Sequence, residues 1–138
     1  MAITMFMSIA VSGCDLVLEE RNEQFDSRNE ITESGYFEKG WIPRWLPDSA
    51  TNIREKHEVD TIATVLVFEY SSGDEPPFGN ECVATDSERV SAPRLTAHWW
   101  PAVAQLKAMP LLYRCPDDNS GFLAASADGK TAYFWRTP

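Results

Sequence analysis

Thr61-Ile-Ala-Thr-Val-Leu-Val-Phe-Glu-Tyr70 holds five β-branched and two aromatic side chains in ten residues. Such a composition fits the pleated surface of a sheet better than a helix. With a period of two, Ile62, Leu66, Phe68 and Tyr70 share one face, while Val65 and Val67 share the other. Apolar groups on both faces predict a strand that is central in its sheet or covered by a helix.

Toward the C-terminus, Ser71 to Gly79 contains two prolines and two glycines and reads as a turn or exposed loop. A short strand is expected over Cys82 to Thr85. Pro101 can open a helix over residues 101–108, which Pro110 ends. Leu111-Leu-Tyr-Arg-Cys115 reads as a strand. Phe122–Ala127 and Lys130–Arg136 form a hairpin, because Asp128-Gly129 supplies the positive φ angles of a tight turn.

Toward the N-terminus, Ser27-Arg-Asn-Glu30 has capping-box spacing and predicts a helix that Gly40 stops after Lys39; Gly35 weakens it. Pro43 and Pro47 exclude a regular helix from Gly40 to Ala50, leaving an ordered, aromatic-rich loop. The whole predicts an α+β fold: an antiparallel sheet with one or two short helices packed on one face.

The 138 residues suffice for one domain. At 43% hydrophobic, with five Trp, seven Phe and four Tyr, the chain can fill a core, which excludes general disorder. The net charge of −9 repels phosphate backbones and anionic headgroups. Nucleic acid and a polybasic attachment to membranes are therefore excluded as partners.

Residues 1–13 carry no charge, whereas Asp15, Glu19, Glu20, Arg21 and Glu23 follow closely. That apolar run is too short to cross a bilayer, which takes roughly 20 residues, but it suits the core of a secretory signal. Val11-Ser12-Gly13-Cys14 resembles the lipobox of bacterial lipoproteins. The resemblance implies a signal peptide over 1–13, a diacylated Cys14 and a lipidated tether over 14–25. It also implies a globular domain over 26–138, anchored in the bacterial envelope and facing the periplasm or exterior. The signal lacks the usual basic residues at its start; the competing reading is an N-terminal core strand with a buried Cys14. Setting Cys14 aside leaves Cys82 and Cys115, an even number in a compartment that permits a disulfide. Neither lies in a CxxC pair and only His57 and His98 stand beside them, so zinc is not expected. No cofactor is implied.

A second resemblance rests on Gly40-Trp-Ile-Pro, Leu46-Pro, Ser49-Ala, Asn52-Ile, His57 and Asp60-Thr61, with Phe68 and a Tyr-Phe-Trp-Arg strand following. This string is similar to one in a group of small bacterial lipoproteins of uncharacterised function. It implies a shared fold and an envelope location, and carries no activity.

Trp41, Trp45, Trp99 and Trp100 are the candidate binding residues, with Ser49 in the same loop as the first two. Indole joins a large apolar area to one N–H donor, which suits sugars and protein partners alike, although such rings also fill cores. Ser49 lacks a nucleophile elbow and reads with Asp48 as a turn or cap. His57, with Glu58 or Asp60, is the sole candidate acid–base group, for a small envelope hydrolase or glycan-processing enzyme. Arg54, Arg114 and Arg136 are candidates for an anion, or for pairing with the abundant carboxylates. The leading expectation is a non-catalytic module that binds an envelope component, a protein first among them. A purely structural lipoprotein is the third.

Overall fold

The computed structural model describes residues 18–71, 78, 81–115 and 121–138. The signal segment, Cys14 and most of the Ser71–Gly79 loop lie outside them. Seven strands form one antiparallel sheet: β1 (Glu20–Ser27), β2 (Thr51–Glu58), β3 (Thr64–Glu69), β4 (Val83–Ala84), β5 (Leu111–Cys115), β6 (Gly121–Ala125) and β7 (Thr131–Arg136). Their order is β1-β2-β3-β7-β6-β5-β4. The strand richest in β-branched residues, β3, is interior, as its two apolar faces require.

Alternation along the strands feeds two cores. On one face Leu66 and Phe68 of β3 meet Ile53, Leu123 and Phe134. On the other, Val65 meets Leu112, Phe122 and Trp135. Residues 28–50 cover the first core with Ile31, Tyr36, Phe37, Ile42 and Leu46; residues 85–109 cover the second with Val90, Leu95, Trp100 and Leu106.

The expected α+β layering is therefore overturned: among the described residues the fold is mainly β, and no helical layer packs on one face of the sheet. Its two helices, α1 (Arg28–Glu33) and α2 (Val103–Lys107), each bury a single side chain, Ile31 and Leu106, and they serve opposite cores. The cause is local. Gly35 adopts φ 68°, which splits the expected helix after α1 and leaves a 3₁₀ turn at Tyr36–Lys39. Prolines 43, 47, 93 and 101 keep the rest of both covers irregular. The carbonyls that such loops leave open are met by side chains. Arg28 donates from Nε to Leu46 O at 2.7 Å, and Arg136 from Nη1 to Gly40 O at 2.8 Å.

The N-terminal boundary is corrected as well. Residues 20–25, read as part of a tether before a domain starting at 26, belong to β1, which pairs with β2 from Glu20↔Glu58 to Ser27↔Thr51. Charged residues disguise it because β1 is an edge strand, with only Phe25 buried.

Gly121 opens β6 where the ring of Phe134 crosses the sheet. A Cβ at this position would drive into the edge of that buried ring, with the carbonyl of Trp135 at 3.1 Å on its other side. Gly121→Ala is expected to destabilise the domain by about 1–3 kcal/mol, through overpacking. Urea unfolding measures it; an unchanged midpoint would show that Phe134 yields freely.

Candidate functional site

Strand β2 turns Ile53, Glu55 and His57 toward the first core. Glu55 is fully buried. Its Oε2 accepts the Tyr36 hydroxyl at 2.9 Å, and Nδ1 of His57 lies 3.0 Å from both carboxylate oxygens. Trp41 stacks flat on His57, with ring centroids 4.0 Å apart and planes within 11°. Burial raises the Glu55 carboxyl above the ordinary glutamate range, against the opposing hydrogen bonds from His57 and Tyr36. The Tyr36 hydroxyl is pushed far above the phenol range, first by burial and then by the charge of Glu55. With 3% of His57 and none of Glu55 exposed, the network is sealed from substrate. Its geometry suits it to clamping Trp41 and the loop that carries it.

The partners first considered for His57 lie elsewhere. Glu58 faces away from it, receiving Thr61 Oγ1 at 2.9 Å and pairing with Arg94 at 3.2 Å, and Asp60 is exposed in the following turn. The true partner, two residues before His57, was legible from the same alternation. Tyr36 carried no such signal.

The candidate binding residues do not form one surface. Trp41 and Trp45 pack on the first core, and Trp99 and Trp100 on the second, so the sheet separates the pairs. Trp45 meets Phe134 and Phe78 edge-on, at 5.2 and 5.8 Å. Ser49 Oγ accepts the amide of Ser71 at 3.1 Å, tying the loop to the end of β3. Cys82 and Cys115 form a disulfide. Cys14 lies outside the described residues.

Trp99 has the same intermediate exposure as Trp41 and Trp45, on the opposite face of the sheet. It is partly exposed and rests edge-on against buried Trp100, at 6.1 Å and 82°; Trp100 in turn meets Tyr133 and Trp135 edge-on. Before it opens a cleft of roughly 380 Å³, bordered by Gln24, Asn52, Arg54, Val67 and Glu69. Gln24 pairs with Arg54 across β1 and β2, and Arg54 with Val67 across β2 and β3, so the three form a lateral row. The register of β2 shifts between Thr51 and Arg54, where Asn52 takes φ 48°, and Asn52 Nδ2 donates to Glu69 Oε2 at 2.7 Å. Bulges re-aim side chains, and non-glycine residues at positive φ collect at functional sites. Gln24 and Arg54 make no side-chain hydrogen bond or ion pair with any described residue. Sequence reasoning had Arg54 and Trp99 separately; Gln24 and Asn52 join them only through strand register.

Among known proteins, residues 19–69 match the family described as the YbbD head domain, a stretch running from the start of β1 to the end of β3. No curated protein and no solved structure matches the chain.

Because burial favours protonated Glu55 in the folded state, its stabilising contribution is present below the ordinary carboxylate range and is lost as pH rises through the raised value. Thermal unfolding from about pH 4 to 9 should show this fall in wild type and a flatter profile in Glu55→Gln, which keeps an acceptor for both partners. Glu55→Ala should cost about 1–3 kcal/mol for each buried group it leaves unpaired. Identical profiles in wild type and Glu55→Gln would mean that folding leaves the Glu55 carboxyl unshifted.

Proposed function

We propose that this chain is an extracytoplasmic binding module, lipid-anchored to the bacterial envelope through Cys14, that holds an envelope component in the cleft at Trp99. The observation that carries the reading is the pairing of a braced, partly exposed indole with Gln24 and Arg54, whose polar groups have no described partner. Ligand sites join an apolar wall to a few fixed polar groups in this manner. Against catalysis by the expected group stands the burial of His57 and Glu55 beneath Trp41. The Cys82–Cys115 disulfide supports an oxidising compartment, and the lipobox resemblance at Val11–Cys14 supports the anchor. A protein partner was expected across the Trp41–Ser49 loop together with Trp99 and Trp100. With those residues on opposite faces, the binding surface contracts to the Trp99 side.

Two measurements on cells producing the full chain test this. The intact mass of membrane-extracted protein should correspond to a chain starting at Cys14 with acyl groups attached, and Cys14→Ser should release it from the membrane fraction. A photoreactive residue replacing Thr131, at the rim of the cleft, should yield an adduct that the same residue at Glu38 does not. An unprocessed chain would remove the anchor, and no adduct at position 131 would remove the binding reading.

A further inference from the structure

We infer that the Trp99 cleft takes a saccharide, neutral or N-acetylated, with one pyranose ring laid against the indole. This rests on the binding reading above and names its ligand. The apolar C–H face of a pyranose needs a flat, rigid, apolar platform, and Trp99 supplies one whose position is fixed by buried Trp100 behind it. Ring hydroxyls and acetamido groups both donate and accept, and planar polar side chains at fixed spacing match them. Gln24 offers an amide with both functions, Arg54 a fork of donors, and Asn52 an amide oxygen left over after its N–H₂ engages Glu69.

The charge of the site narrows the class. Within a chain of net charge −9, the cleft is bordered by one cation, Arg54, and one anion, Glu69, so it selects for neither sign. A peptide is less well served. Trp99 and Val67 are the apolar walls on this face, since Phe68 turns its ring into the opposite core. The neighbouring free edge of the sheet, β1, carries Glu20, Arg21 and Glu23, charges that discourage addition of a strand.

The test uses the full-length chain bearing Cys14→Ser, titrated with cellotriose, mannotriose, chitotriose and an N-acetylglucosaminyl–N-acetylmuramyl disaccharide. Binding is read by tryptophan fluorescence and by calorimetry. At least one saccharide should bind saturably. Arg54→Ala, which removes a side chain with no described partner, should weaken that binding roughly tenfold with unchanged thermal unfolding. Trp99→Ala should weaken it by about 30-fold, the loss typical of a central aromatic anchor. Because Trp99 also packs on Trp100, Trp99→Phe serves as the control that keeps a platform and should retain part of the affinity. No saturable response to any of the four, or saccharide binding that both alanine variants leave intact, overturns the assignment. A cellular adduct at position 131 that is wholly protein overturns it too, while leaving the binding reading in place.

Discussion

Phe134 and Trp135 are neighbours in β7, and each is fully buried in a different core. That single step of alternation sets the problem which the remainder of the chain solves. A sheet with one wet face needs a single cover, but this one needs two, from a chain of 138 residues. Both covers are irregular, and irregular backbone near a core leaves carbonyls that need donors. Arg28 and Arg136 supply them, the latter reaching from the last strand to the carbonyls of Gly40 and Trp41. Trp135 Nε1 does the same on the other side by donating to Ser91 O at 2.8 Å. Arg136 and Trp135 thus tie the covers to the sheet, and Arg28 closes the first cover on itself, side chains standing in for helix hydrogen bonds.

The disulfide belongs to the same arrangement. Cys82 and Cys115 close a loop 33 residues long in sequence that contains the whole second cover. On the chain-entropy model such a loop contributes about 3–4 kcal/mol. That is a large share of the roughly 5–15 kcal/mol by which domains are stable, and the cover it encloses, residues 85–109, holds a single short helix. A cover with so few internal hydrogen bonds gains more from a crosslink than a helical one would.

Strands β3, β5, β6 and β7 were legible in the sequence because their side chains bury on at least one face and leave a periodic apolar record. The first strand was not. In Glu-Arg-Asn-Glu-Gln-Phe-Asp-Ser only Phe25 is buried, and an exposed edge reads as polar tether. The short helices misled in the other direction. Ser27 does cap α1, accepting the amide of Glu30, but that cap is followed by barely two turns. A capping signal fixes where a helix begins and says nothing about how much of a face it covers. The cleft was hidden for a third reason. Gln24, Arg54 and Val67 lie in one row only because the register of three strands places them there, and no local spacing encodes register.

The two sides of β2 differ in how far their side chains are committed. Its inward residues, Glu55 and His57, are buried with every described contact satisfied inside the protein, and a stacked indole closes over them. A buried carboxyl group is costly unless it is hydrogen-bonded, so this side tolerates little movement. One residue away, Arg54 faces the opposite direction, with its guanidinium uncommitted to any described group. A rigid strand presenting an unspent donor beside a braced aromatic is preorganised, so ordering costs little when a ligand arrives. The bulge at Asn52 completes that division, since it lets Ile53 stay in the first core while Asn52 turns its amide to the cleft rim. The sealed network on one face thereby fixes the strand that carries the proposed binding residues on the other.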